Sequence, residues 1–172
     1  MAKTSQELLD FLKDKACQIR VQGLELISKG GMGHPGATLS SADLIAALYF
    51  YQLRIDPQNP KWEKRDRLVI SKGHGVPPFY IALAMKGFYP WEELYNTYCH
   101  VNSRFQGHPD MRKTPGIEAS TGSLGQGLSI AVGMALAAKL DGKTHNTYCF
   151  LGDGECDEGQ VWEAAMLSLI HI

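Results

Sequence analysis

Cysteine is scarce in this chain of 172 residues, and Cys17, Cys99, Cys149 and Cys156 form neither a C-x-x-C pair nor a zinc-type array. That spacing favours buried or incidental thiols in a reducing compartment, so a cytoplasmic location is expected. Long apolar runs are also missing: nothing approaches the roughly 20 residues of a membrane-spanning helix. The opening stretch MAKTSQELLDFLKDKACQIR scatters charges among its apolar positions and lacks the uninterrupted core of a signal peptide. Nor is there an excess of one charge, since 17 basic and 18 acidic residues leave a net charge of -1. This excludes the broad basic footprint of a nucleic-acid binder, and neither nucleic acid nor membrane is expected as a partner.

Glycine is what the chain has in quantity, with 18 residues, beside an ordinary 44% hydrophobic content that can fill one core. Thr4 and Glu7 stand at capping-box spacing, and Leu8, Leu12, Ala16, Ile19 and Ile27 recur at helical intervals, which predicts a helix over Ser5–Lys29 stopped by Gly30-Gly31. A glycine-rich loop over Gly31–Gly36 and a second helix over Ser41–Leu53 are expected next. Two short apolar runs, Arg67–Ser71 and Thr147–Leu151, read as buried strands that deliver Lys72-Gly73-His74-Gly75 and Gly152-Asp153-Gly154-Glu155 at their carboxyl ends. Helical stretches over Phe79–Lys86, Trp91–His100 and Gly127–Leu140 lie between them. Strands alternating with helices predict an α/β fold, a parallel sheet with helices on both faces, whose ligands sit beyond the strand ends.

Gly31-Met32-Gly33-His34-Pro35-Gly36 formally matches G-x-G-x-x-G, but it follows a helix and contains a proline, which excludes the dinucleotide fingerprint. What remains is a histidine set among glycines, and the pattern returns at His74 and at His108, each directly after a glycine. Glycine lets a substrate or phosphate approach the backbone, and imidazole can donate to a phosphate or hydroxyl and exchange a proton near neutral pH. The wide spacing of the three argues for ligand-binding histidines over a metal array. Ser120-Thr121-Gly122-Ser123-Leu124-Gly125-Gln126-Gly127 opens a helix with small residues whose N–H groups a cofactor can reach, or serves as a tight connection needing glycine for packing. Asp153 is placed to hold Mg²⁺ or Ca²⁺ at a strand end, with the Gly154 N–H turned to an anionic phosphate.

Taken in order, G-H-P-G at 33–36, S-K-G-H-G at 71–75, G-H-P-D at 107–110, S-T-G-S-L-G-Q-G at 120–127 and G-D-G-E at 152–155 resemble the N-terminal, diphosphate-binding domain of the transketolase family. Deoxyxylulose-phosphate synthases and pyruvate dehydrogenase E1 components share the G-D-G element, whereas the paired G-H-P loops look more like transketolase. The resemblance implies thiamine diphosphate and Mg²⁺ (or Ca²⁺) as cofactors, and transfer of a two-carbon ketol unit from a ketose phosphate to an aldose phosphate. It implies Asp153 as a metal ligand and Gly154 on the diphosphate, His74 as a phosphate contact, and Gly122, Ser123 and Leu124 beside the cofactor rings. Family members often carry Pro where Ser123 stands, a departure that leaves a backbone contact in place. His34 and His108 would hold sugar hydroxyls and move protons, and Glu158 would sit at a dimer interface beside the neighbour's activating Glu.

The resemblance also implies parts that this sequence does not contain: an Asn that completes the metal site, and a C-terminal pyrimidine-binding domain or subunit carrying the activating Glu. The expectation is therefore a partial diphosphate-binding domain over 1–172, incomplete at its C-terminus, catalytic only with the remainder and homodimeric in the complete enzyme. The apolar ending Ala164–Ile172 is read as an uncapped helical run at a truncation, its final residues departing from the family pattern. Three other functions compete: a non-catalytic binding or assembly module, a deoxyxylulose-phosphate synthase-like thiamine enzyme, and a metal-dependent phosphate hydrolase on Asp153, which lacks a second carboxylate cluster.

Overall fold

A computed structural model of the chain describes residues 4–171. Two units divide it, Met1–Leu53 with Gly75–Gly107, and Arg54–His74 with His108–Ile172.

The first unit is helical. Helix α1 (Ser5–Gly30) starts at the expected capping box: the Thr4 hydroxyl accepts from the Glu7 N–H at 3.2 Å, and the Glu7 carboxylate accepts from the Thr4 N–H at 2.7 Å. Gly31, in the left-handed region at φ +64°, ends it. Helix α2 (Pro35–Ala47) begins earlier than the Ser41 expected from sequence, and continues through a π-type turn over Leu48–Gln52. The correction has a plain cause. Proline at a helix's first position loses an N–H that would lack a partner anyway, so Pro35 starts this helix and does not belong to the loop. The same rule extends α3 (Pro77–Lys86) two residues beyond the expected start at Phe79. Every residue of α3 from Pro77 to Leu83 is buried, as its near-continuous apolar sequence requires. Helix α4 (Trp91–Thr97) stops short of His100, because Tyr98 leaves the helical region at ψ +126° and Cys99 follows at φ +58°.

The second unit carries the sheet. Strands β1 (Arg67–Ile70) and β2 (Thr147–Phe150) pair in parallel, Arg67 opposite Thr147 and Ile70 opposite Phe150. Helix α5 (Gln126–Leu140) sets Ala131 and Met134 against Val69, Ala119 and Cys149, and α6 (Gly159–His171) follows β2. The α/β class and parallel pairing expected from sequence are both present. No helix among the described residues is long and apolar enough to cross a membrane. Ile172, the last residue of the expected terminal run, lies outside the described residues.

Asp66, directly before β1, ties the entry to the sheet. Its fully buried carboxylate accepts from the Arg54 N–H at 2.9 Å, from Arg54 Nη2 at 2.7 Å and from the Asn146 N–H at 2.8 Å. Burial alone would push this carboxyl up, but the bonds from Arg54 and Asn146 outweigh it and hold the group below its ordinary value of 3.8.

A folded-state value below the unfolded one contributes stability that is fully present above about pH 4 and is lost as pH falls through the folded value. Asp66→Asn, which turns an amide toward donors, is expected to cost about 1–3 kcal/mol at pH 7. Urea denaturation at pH 7 and pH 3 checks this, with the wild type losing more stability on acidification than the variant.

Candidate functional site

Parallel strands end on the same side, so the chain leaving β1, the chain leaving β2 and the turn opening α5 meet there. The knot between them is Glu155, in the short turn Gly154–Asp157 and only 2% exposed. Its Oε1 accepts from the Ser71 hydroxyl at 2.5 Å and the Gly125 N–H at 2.8 Å, and its Oε2 accepts from the Gly152 N–H at 2.9 Å. The Thr121 hydroxyl adds a bond to the Ile70 carbonyl at 2.5 Å. Such closeness needs glycine: a Cβ on Gly73 would stand 2.6 Å from the Thr121 carbonyl oxygen, and one on Gly127 would stand 2.5 Å from the Ser71 Cα.

Lys72, 8% exposed, lies beside this knot with its ammonium 5.2 Å from the centre of the Phe150 ring. Burial lowers its pKa, against the pull of Asp153 and Glu155. Asp153 and Gly154 are exposed, and a Cβ on Gly154 would meet nothing within 4 Å. Two carboxylates of one turn are thus sorted, Glu155 inward and Asp153 outward.

His108 is exposed on its loop, and a Cβ on Gly122 would stand 3.5 Å from its ring Cδ2, so imidazole and glycine backbone are neighbours. That loop is pinned to the Ser120 turn: the Ser120 hydroxyl accepts from the Met111 N–H at 3.0 Å and donates to Asp110 at 3.3 Å. Arg112, bonded to Asp110, holds that carboxyl below its ordinary range. Ser123 is exposed, while Gly122 and Leu124 are partly buried. His74 is partly buried in the turn Gly73–Gly75. Glu158 is exposed, its Cβ 3.2 Å from where a Cβ on Gly125 would be, at a φ of +80° that glycine tolerates. The second unit therefore brings His108 to Gly122 and Glu158 to Gly125. His34 belongs to the first unit, exposed at the N-cap of α2, where Gly33 at φ +142° lies against Ile27.

An open glycine backbone beside a buried cation suits an anionic ligand, which the exposed Asp153 carboxylate would repel unless a cation lay between them. Carboxylate oxygen also suits Mg²⁺ or Ca²⁺, yet among the described residues no three His, Cys, Asp or Glu side chains cluster to hold a metal. Glu155 and Lys72 stand inside the glycine-rich motifs but were not singled out by sequence reasoning. Their one signal is position, directly beyond apolar strands where a charge must be either exposed or fully bonded.

Residues 12–170 match the family described as transketolase, thiamine diphosphate binding domain. The chain is 52% identical, over 95% of its length, to the 6-deoxy-6-sulfo-D-fructose transketolase subunit of Clostridium sp. (strain MSTE9), and spans 59% of that protein. It is 47% identical, over 83% of its length, to an apulose-4-phosphate transketolase subunit of Phocaeicola vulgatus, spanning 50% of it. The solved transketolase of Campylobacter jejuni superimposes with a TM-score of 0.87 at 37% identity, over 94% of this chain and 26% of that one.

Gly73→Ala and Gly154→Ala should separate packing from access. The first drives a Cβ into backbone and is expected to cost about 1–3 kcal/mol. The second enters open space and should change stability by less than about 0.5 kcal/mol. Thermal melting of both variants is the check.

Proposed function

Because the chain belongs to the transketolase thiamine diphosphate-binding domain family, we propose that it forms the diphosphate-holding part of an enzyme moving a two-carbon ketol unit between sugar phosphates. The observation that carries this is the meeting of three loops on Glu155, with Asp153 and Gly154 exposed beside it and His108 exposed against Gly122. When bound, thiamine diphosphate supplies the carbon nucleophile and the electron sink for the ketol carbon.

The chain's own residues bind, orient and move protons. Asp153 would hold Mg²⁺ (or Ca²⁺) through a carboxylate oxygen, and the Gly154 N–H would donate to the diphosphate. His74 would contact the phosphate. Gly122, Ser123 and Leu124 would lie beside the cofactor rings, backbone first, because the small residues leave that backbone reachable. His34 and His108 would hold the sugar hydroxyls through imidazole nitrogens and carry protons to and from the substrate oxygens.

Activity would require the remainder of the enzyme: a C-terminal pyrimidine-binding domain or subunit, within a homodimer where Glu158 sits at the interface. Two observations support this division. The relatives named above as subunits are longer than this chain. On α6, Trp162, Met166, Leu169 and Ile170 are largely exposed, an apolar surface of the kind that marks contact with another protein surface.

Three variants of the chain, combined with its C-terminal remainder, test the reading. Asp153→Asn should abolish metal-dependent cofactor affinity without unfolding, measured by calorimetry; unchanged Mg²⁺-dependent affinity refutes the assignment. His34→Ala and His108→Ala should each lower ketose-donor use by about 10²-fold or more while cofactor binding survives. Wild-type kinetics in both would discard their role, and equal loss of binding and turnover would make it structural.

A further inference from the structure

We propose that Glu155 is a positioning residue, whose buried carboxylate sets the geometry of the three loops and through them the affinity of the edge for an anionic ligand. It touches no ligand itself. The argument is one of acceptors and donors. A carboxylate only accepts, and each oxygen of Glu155 faces donors: the Ser71 hydroxyl and Gly125 N–H on one side, the Gly152 N–H on the other. These donors lie 84, 30 and 3 residues away in sequence, so one side chain fixes segments that no local turn could hold together.

What those segments carry is the outward face. Ser71 adjoins Lys72, Gly125 opens α5 against Glu158, and Gly152 immediately precedes Asp153. A glutamine at 155 keeps the shape but turns an N–H₂ toward one set of N–H or O–H donors, leaving buried donors unmatched. The turn bearing Asp153 and Gly154 must then shift relative to Lys72 and the start of α5. The consequence for ligand affinity rests on the thiamine diphosphate reading above; the consequence for loop geometry does not.

The experiment compares the wild-type chain with Glu155→Gln and Ser71→Ala by amide hydrogen exchange at Gly125 and Gly152, and by Mg²⁺–thiamine diphosphate titration of each chain combined with the C-terminal remainder. In Glu155→Gln, exchange at both amides should accelerate by at least about tenfold while amides of α1 keep their rates. The dissociation constant for thiamine diphosphate should rise by a similar factor, with the KM for the sugar phosphate unchanged. Ser71→Ala removes one donor and should move the same readouts in the same direction by less. Unchanged exchange at Gly125 and Gly152 overturns the proposal, as does acceleration spread evenly over α1, β1 and β2. Should Glu155→Gln fail to fold, Ser71→Ala decides: wild-type exchange at Gly125 in that variant overturns the role. If the wild-type pair binds no thiamine diphosphate, the functional reading falls, and the exchange pattern still decides what Glu155 does.

Discussion

A carboxylate removed from water must be matched by donors or it destabilises the fold that buried it, and Glu155 finds its donors in three separate stretches of chain. Much else in the second unit follows from that demand. Gly127 and Gly73 lack side chains because the segments carrying Gly125 and Ser71 must pass within contact of their neighbours. Ser71, buried at the end of β1, spends its hydroxyl inward, which leaves the following Lys72 to sit along Phe150. Asp153, two residues earlier, is exposed. A stretch of three residues thus holds one acid inward and presents another outward.

The opposite end of the sheet uses the same device. Asp66 gathers Arg54 and the Asn146 backbone where β1 and β2 begin, as Glu155 gathers the loops where they end. Two strands of four residues have few ladder bonds, and an isolated pair of that size is marginal in water. Helix α5 on Val69 and Cys149 supplies apolar cover, and the two acids fix the register from both ends.

Local chemistry was legible in the sequence where it acts over a few residues. The Thr4–Glu7 box and the apolar spacing behind it place α1 to within one residue of its observed end. Both apolar strands, and the glycine-histidine words after them, lie where their patterns put them. Errors came where one residue has two meanings. Proline at 35 reads as a loop marker, but at a first helical position it starts a helix, and Tyr98 and Cys99 end α4 through backbone angles that their side chains do not advertise. Of the candidate site, the outward residues could be named because their chemistry resembles a known arrangement. Glu155 and Lys72 could not, since their burial depends on partners up to 84 residues distant and no window of sequence contains both ends of that bond.

The parallel pairing of β1 with β2 has a temporal side. Between them the chain makes an excursion that completes the helical first unit, whose last segment closes at Gly107, before α5 and β2 are reached. During synthesis all of the first unit has therefore been made while β1 still waits for a partner, its edge unpaired. The long closure that brings Thr147–Phe150 back to Arg67–Ile70 is of the kind that slows folding, because loop entropy is lost before any strand bond forms. The glycine-lined edge accordingly cannot be assembled before the last of its three loops has been made.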